Sequence, residues 1–125
     1  RNHLGAMTAS PVTFNSGLTT VDLTSPGTPT HGVNARRAQG GVMLLWAGNV
    51  NGDGMVRYTG SGNDREPILT EVGGTVPTQV VSGYLPGDTN MNGQVKYTGT
   101  GNDREVLLQN IGASVPTGSL MQQLP

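Results

Sequence analysis

Asn49, Asn51 and Asp53 place side-chain oxygens at alternate positions, and Gly54 follows them. Asp88, Asn90 and Asn92, followed by Gly93, repeat the arrangement 39 positions later. Calcium is a hard cation that takes six to eight oxygens at about 2.3–2.6 Å, and a loop of this kind supplies them from positions one, three and five. Position six is glycine because the chain turns sharply there, and position seven contributes a backbone carbonyl. With Asn49 and Asp88 as position one, those carbonyls belong to Met55 and Gln94. A twelve-residue loop would close at Gly60 and Gly99, which have no side chain. The next acids are Asp64 and Asp103, and the intervening Gly60-Ser61-Gly62 and Gly99-Thr100-Gly101 are flexible enough to loop out. The spacing therefore predicts Asp64 and Asp103 as closing ligands. Glu66 and Glu105 are second candidates, and a bridging water is a further option.

Each predicted site holds two acids and two asparagine amides, so two calcium ions per chain are expected. Two formal charges fit the weak end of the calcium range, on the order of 10⁻⁴ to 10⁻³ M, where extracellular modules bind. At ten times the dissociation constant each ion would stabilise the fold by about 1.4 kcal/mol. A tight turn would also account for a single Asn-Gly-Asp-Gly. Two copies with the same offset to a later Asp favour the metal. Magnesium is a poorer match, because it prefers rigid octahedral sites that retain several waters.

The elements that must position these oxygens also repeat. Residues 47–85 and 86–125 each read as a loop, a short helix and a Val-Pro-Thr stretch. Asn63 or Asp64 can cap the first helix, and Glu66 and Pro67 suit its first turn. Ile68, Leu69 and Val72 form one apolar stripe, and Gly73-Gly74 ends the helix. The second copy matches with Leu107, Leu108, Ile111 and Gly112. Val56 and Val95 are expected to be buried between paired loops, with Tyr58 and Tyr97 packing nearby. Arg65 and Arg104 either orient the neighbouring carboxylate or are surface charge.

Residues 1–46 read as a β-rich segment, with strands at 3–8, 11–15, 19–24 and 41–47. Thr20-Val21-Asp22-Leu23-Thr24 shows the alternation of a half-buried strand. Arg36-Arg37 reads as solvated charge in an irregular connection. Four short strands fall short of the roughly seven of a closed sandwich. The fold class expected is thus α+β: an incomplete β-sandwich-like segment plus a duplicated calcium-loop–helix lobe. An upstream domain or a neighbouring chain would complete the sandwich. Alternatively, the strands pack on the calcium lobe as one small mixed domain. The chain begins at Arg1 without a visible leader, as expected of a C-terminal portion of something longer.

Composition narrows the function. The chain has 125 residues, of which 20 are glycine and only five aromatic, so its apolar interior is thin. There is no cysteine, which excludes disulfides, iron–sulfur sites and thiolate zinc sites. The formal charge of −1 gives nucleic-acid binding no electrostatic footprint. No apolar run reaches membrane-spanning length. His3 and His31 have no ligand spacing, and no catalytic constellation is visible, so no enzyme is expected.

The Asn-Val-Asn-Gly-Asp-Gly loop followed by a helix resembles the duplicated calcium repeat of dockerins, which plug into cohesins. The four-residue insertion before Asp64 and Asp103 departs from that pattern. A broader resemblance is to the C-terminal region of secreted bacterial hemagglutinin-like surface proteins. It covers Arg1-Asn2-His3-Leu4-Gly5, Leu45-Trp46-Ala47-Gly48, both Tyr-Thr-Gly-x-Gly-Asn-Asp-Arg segments and Gln123-Leu124-Pro125. This resemblance implies an extracellular or cell-surface location. The expectation is a calcium-stabilised structural subunit of a surface fibre, joined by strand pairing to copies of itself or to another surface protein. The Thr/Ser/Pro-rich 8–30 stretch offers hydroxyls for O-linked glycans. The alternative is a module for carbohydrate adhesion or dockerin-like docking.

Overall fold

The computed structural model describes residues 2–125. Its elements are β1 (Arg37–Gln39), β2 (Val42–Leu44), β3 (Met55–Arg57), α1 (Arg65–Glu71), β4 (Val80–Ser82), β5 (Gln94–Lys96), α2 (Arg104–Asn110) and β6 (Ser119–Met121). The strands form three two-stranded antiparallel ladders, β1–β2, β3–β6 and β4–β5. The architecture is therefore a small mixed fold, dominated by short ladders, with two seven-residue helices. It overturns the expected α+β class, with its incomplete sandwich and helical calcium lobe.

The N-terminal strands fail for a local reason. Of the spans 3–8, 11–15 and 19–24, only single bridges survive, His3 to Ala47 and Thr8 to Thr30. The carboxylate of Asp22 accepts from both the amide and the hydroxyl of Thr24. Such a turn offers the backbone a partner other than a ladder. Arg36 then takes over the organising role. Far from being solvated, it is buried, and its guanidinium donates to the carbonyls of Leu23, Ser25 and Thr28. Arg37 donates to the Asn110 side chain at 2.8 Å. The expected strand at 41–47 shortens to β2. Its hairpin turns on Gly40 and Gly41, whose φ values of 59° and 84° suit a tight two-residue connection.

The repeats exchange strands. β3, which leaves the first loop, pairs with β6 at the end of the second copy, while β5 pairs with β4 at the end of the first. The helix ends exchange contacts too. The carboxylate of Glu71 accepts from the Gly87 amide at 2.8 Å, and Asn110, its equivalent, donates to the Ala47 carbonyl at 2.8 Å. Thr59 donates to Pro116, and Thr98 to Pro77, each at 2.9 Å. Neither copy can be removed without opening the other.

Between them lies the core: Leu4, Val50, Val56, Ile68, Val72, Val95 and Leu107, flanked by Trp46, Tyr58, Tyr97 and Leu120. Val56 and Val95 are fully buried, as expected from their place after the loop glycines. Each buried aliphatic side chain stabilises the fold by about 1.5–3 kcal/mol relative to exposure. Seven such residues make a small core, and the polar loops must carry part of the structure.

Candidate metal centres

Both loops wrap their backbone around their own side-chain oxygens. In the first, Gly54 N donates to Asn49 Oδ1 at 3.3 Å, Asp53 N to Asn51 Oδ1 at 2.9 Å, and Met55 N to Asp53 Oδ1 at 2.8 Å. In the second, Gly93 N donates to Asp88 Oδ2 at 2.9 Å, Asn92 N to Asn90 Oδ1 at 3.1 Å, and Gln94 N to Asn92 Oδ1 at 2.8 Å. The amide nitrogens of Asn51 and Asn90 are held away, donating to Gly62 and Gly101. That contact fixes which end of each amide meets the loop, and it is the oxygen.

Asp64 and Asp103 stand elsewhere in the pattern. Both are fully buried. Asp64 Oδ1 accepts from the amides of Val50 and Asn51, and Oδ2 from that of Arg57 at 2.8 Å. Asp103 accepts in the same way from Thr89, Asn90 and Lys96. A carboxylate has about four acceptor positions. Three are spent on backbone, leaving one on Oδ2. Each acid thus pins the start of its loop to the strand that leaves it, and a cation could share only the remaining position. The pin also explains the helix start. Asp64 precedes α1 but makes no side-chain cap, and Asn63 accepts from the Glu66 amide instead.

Burial pushes the Asp64 and Asp103 carboxyls above the ordinary carboxylate range. The three N–H donors pull each one down without cancelling the rise, and the nearby charges of Asp53 and Asp88 add to it. Burial raises Glu71 as well, opposed by the Gly87 amide and helped by the Asp103 charge. These carboxyls sit where positive charge is in short supply.

The two loops differ in charge placement. In the first, the acid is Asp53, whose second oxygen faces the Arg57 guanidinium at 3.3 Å. In the second it is Asp88, fully buried at the loop start, where Asn92 N donates to Oδ1 at 3.0 Å. Glu66 and Glu105 lie exposed on the outer helix turns rather than in the loops. Among the described residues, no three of His, Asp and Glu cluster as a metal-binding group. The donor set is amide-rich and all oxygen, which fits a hard cation held weakly and does not fit a transition metal. Met55, Gln94 and the loop side chains fit such an ion.

No family model, curated protein or solved structure matches this chain.

Two structural contacts around the loops were not legible from composition. Arg65 stacks over the Tyr58 ring at 4.6 Å and Arg104 over Tyr97 at 4.3 Å. The signal was present as an equal Tyr-to-Arg spacing in both copies. Asn2 is the other: its carbonyl accepts from the Gly48 and Asn49 amides, and its side chain donates to the Asp88 carbonyl. One residue thereby ties both loop starts.

Proposed function

We propose that this chain is a non-enzymatic, calcium-stabilised structural module of a cell surface, a subunit of a fibre joined by strand pairing between chains. The duplicated turning of loop oxygens onto loop backbone carries the proposal. Asn49, Asn51, Asp53 and the Met55 carbonyl would hold one ion, with Asp64 adding its last acceptor position. Asp88, Asn90, Asn92 and the Gln94 carbonyl would hold the second, with Asp103. Bound calcium supplies positive charge to carboxyls that burial otherwise leaves expensive to ionise. Its role is to hold the loops that carry β3 and β5, and through them the exchanged ladders.

Strand pairing draws support from the β1–β2 ladder: the outer side of β2 is taken up by Thr24, but β1 has no strand on its other edge, and such an edge is a template for pairing. Sedimentation and electron microscopy of the purified chain test the assembly. Concentration-dependent polymers in millimolar calcium, dissolving on chelation, support it. Monodisperse monomers at every concentration refute it.

A second reading, a carbohydrate-binding module, draws on Tyr84. Its ring is largely exposed beside a recess of about 210 Å³ lined by His3, Leu85 and Met91. Glycan-array binding that is lost with Tyr84→Ala would favour it.

A further inference from the structure

Residues 11–21 belong to no strand or helix. Their backbone makes no hydrogen bond to any described residue, although the segments on both sides do. Phe14, the chain's only phenylalanine, is 83% exposed, and Leu18 is 96% exposed. Val21 is exposed as well. The segment holds no charged residue and is rich in Thr and Val, which favour the extended conformation. Unpaired amides and bare apolar side chains occur together in a stretch that is chemically fit for pairing.

The β1–β2 hairpin is the converse, a sheet short of a strand. The other two ladders each seat a fully buried valine on the core, Val56 or Val95, but neither β1 nor β2 has a buried residue. A two-stranded hairpin alone is marginal in water. Val42 and Leu44, two apart on one face of β2, are both exposed. Side chains built at Gly40 or Gly41 would meet nothing, so the turn stands clear of the molecule.

We infer that residues 11–21 act as a donor arm that adds to the open β1 edge of a second copy of this chain, with Phe14 and Leu18 extending across β1 the face that carries Val42 and Leu44. The inference rests on the strand-pairing reading above and names its two surfaces. A second copy is favoured over the chain's own arm by the tether. Met43 N in β2 donates to the Thr24 carbonyl at 2.8 Å, so the chain leaving the arm already lies along the β2 side. The β1 edge faces the other way. The contact is small. A large aromatic buries about 150–250 Å², and one arm falls short of the roughly 1,200 Å² of a stable complex. Each joint is therefore weak, and an arm-to-edge contact that does not close on itself repeats as a filament.

Because the chain has no cysteine, single cysteines report the contact cleanly. Thr13→Cys and Ala38→Cys are each placed at an exposed position, and the two variants are mixed under mild oxidation at assembling concentrations. The mixed disulfide dimer should exceed either homodimer several-fold, and a Phe14→Asp, Leu18→Asp variant should lose assembly while melting like the parent. The T13C/A38C double variant should give intermolecular ladders. If it closes into an oxidised monomer instead, the arm folds back on its own hairpin and the inference fails. If the parent assembles but mixed dimers show no excess, the arm assignment falls and strand pairing survives elsewhere. If the parent never assembles, both fall.

Discussion

Asn2 donates its side-chain amide to the main-chain carbonyl of Asp88 at 2.6 Å, across 86 positions of sequence. Its own carbonyl accepts from Gly48 and Asn49, so the beginning of the described chain is stitched to the first residue of both loops. Leu4, two positions on, donates its amide to Trp46 and buries its side chain in the core. The loops are thus held from three sides: by this segment, by the helix ends and by the buried acids.

The acids should matter without any metal. Asp64→Ala leaves the buried Val50 amide and the half-buried amides of Asn51 and Arg57 without their acceptor. Each unsatisfied buried donor costs about 1–3 kcal/mol, so a loss of about 3–5 kcal/mol is expected, near the upper end for single substitutions. Urea unfolding in excess chelator measures it. A loss seen only in the presence of calcium would make Asp64 a ligand and not a pin.

The metal-free chain should become less stable as pH rises from acid toward neutral. Asp64, Asp103 and Glu71 all have folded values raised above the ordinary carboxylate range, chiefly by burial. A raised value favours the protonated form in the folded state. Its stabilisation is complete below the unfolded value and disappears as pH climbs through the folded one. Asp22, lowered by its bonds to Thr24, acts in the opposite sense but is exposed and weak. Melting temperatures in chelator should therefore fall with increasing pH above the carboxylate range, and added calcium should flatten the profile.

Arg36 should be a keystone of the N-terminal segment. Replacing it with Ala removes charge-assisted bonds to three carbonyls of the 23–28 turn. Bonds from charged groups contribute about 1.5–3 kcal/mol each at most. A drop of about 2–4 kcal/mol is expected, with proteolysis appearing first between Thr19 and Gln39. Unchanged protection there would remove Arg36 from the account.

The copies differ at two strained positions. Met91 and Ala113 have φ values of 60° and 57°, where the first copy has Gly52 and Gly74. Left-handed backbone costs a residue with a side chain about 1–2 kcal/mol, and glycine returns part of that through its greater unfolded freedom. Met91→Gly and Ala113→Gly should each raise stability by about 0.5–1 kcal/mol, read from denaturant midpoints.

Much of the repeat was readable because its constraints are local. The glycines after Asp53 and Asn92, the helix-ending glycines and the buried valines follow from turn and spacing rules that need only neighbouring residues. Strand exchange between copies was not readable, because β3 and β6 lie more than sixty positions apart and each is only three residues long. The N-terminal segment misled through its Thr-Val alternation, since Asp22 and Arg36 supply the backbone with side-chain partners that a periodicity does not register. Spacing singled out Asp64 as the acid that closes its loop, but it did not reveal that the Asp64 oxygens face backbone amides.

Calcium titration by isothermal calorimetry, with melting temperature followed in parallel, bears on the central claim most directly. Two ions per chain should bind with dissociation constants on the order of 10⁻⁴ to 10⁻³ M. Asp53→Ala and Asp88→Ala should each remove one binding event, and millimolar calcium should raise the parent's melting temperature. No heat of binding and an unchanged melting temperature in millimolar calcium would contradict the account.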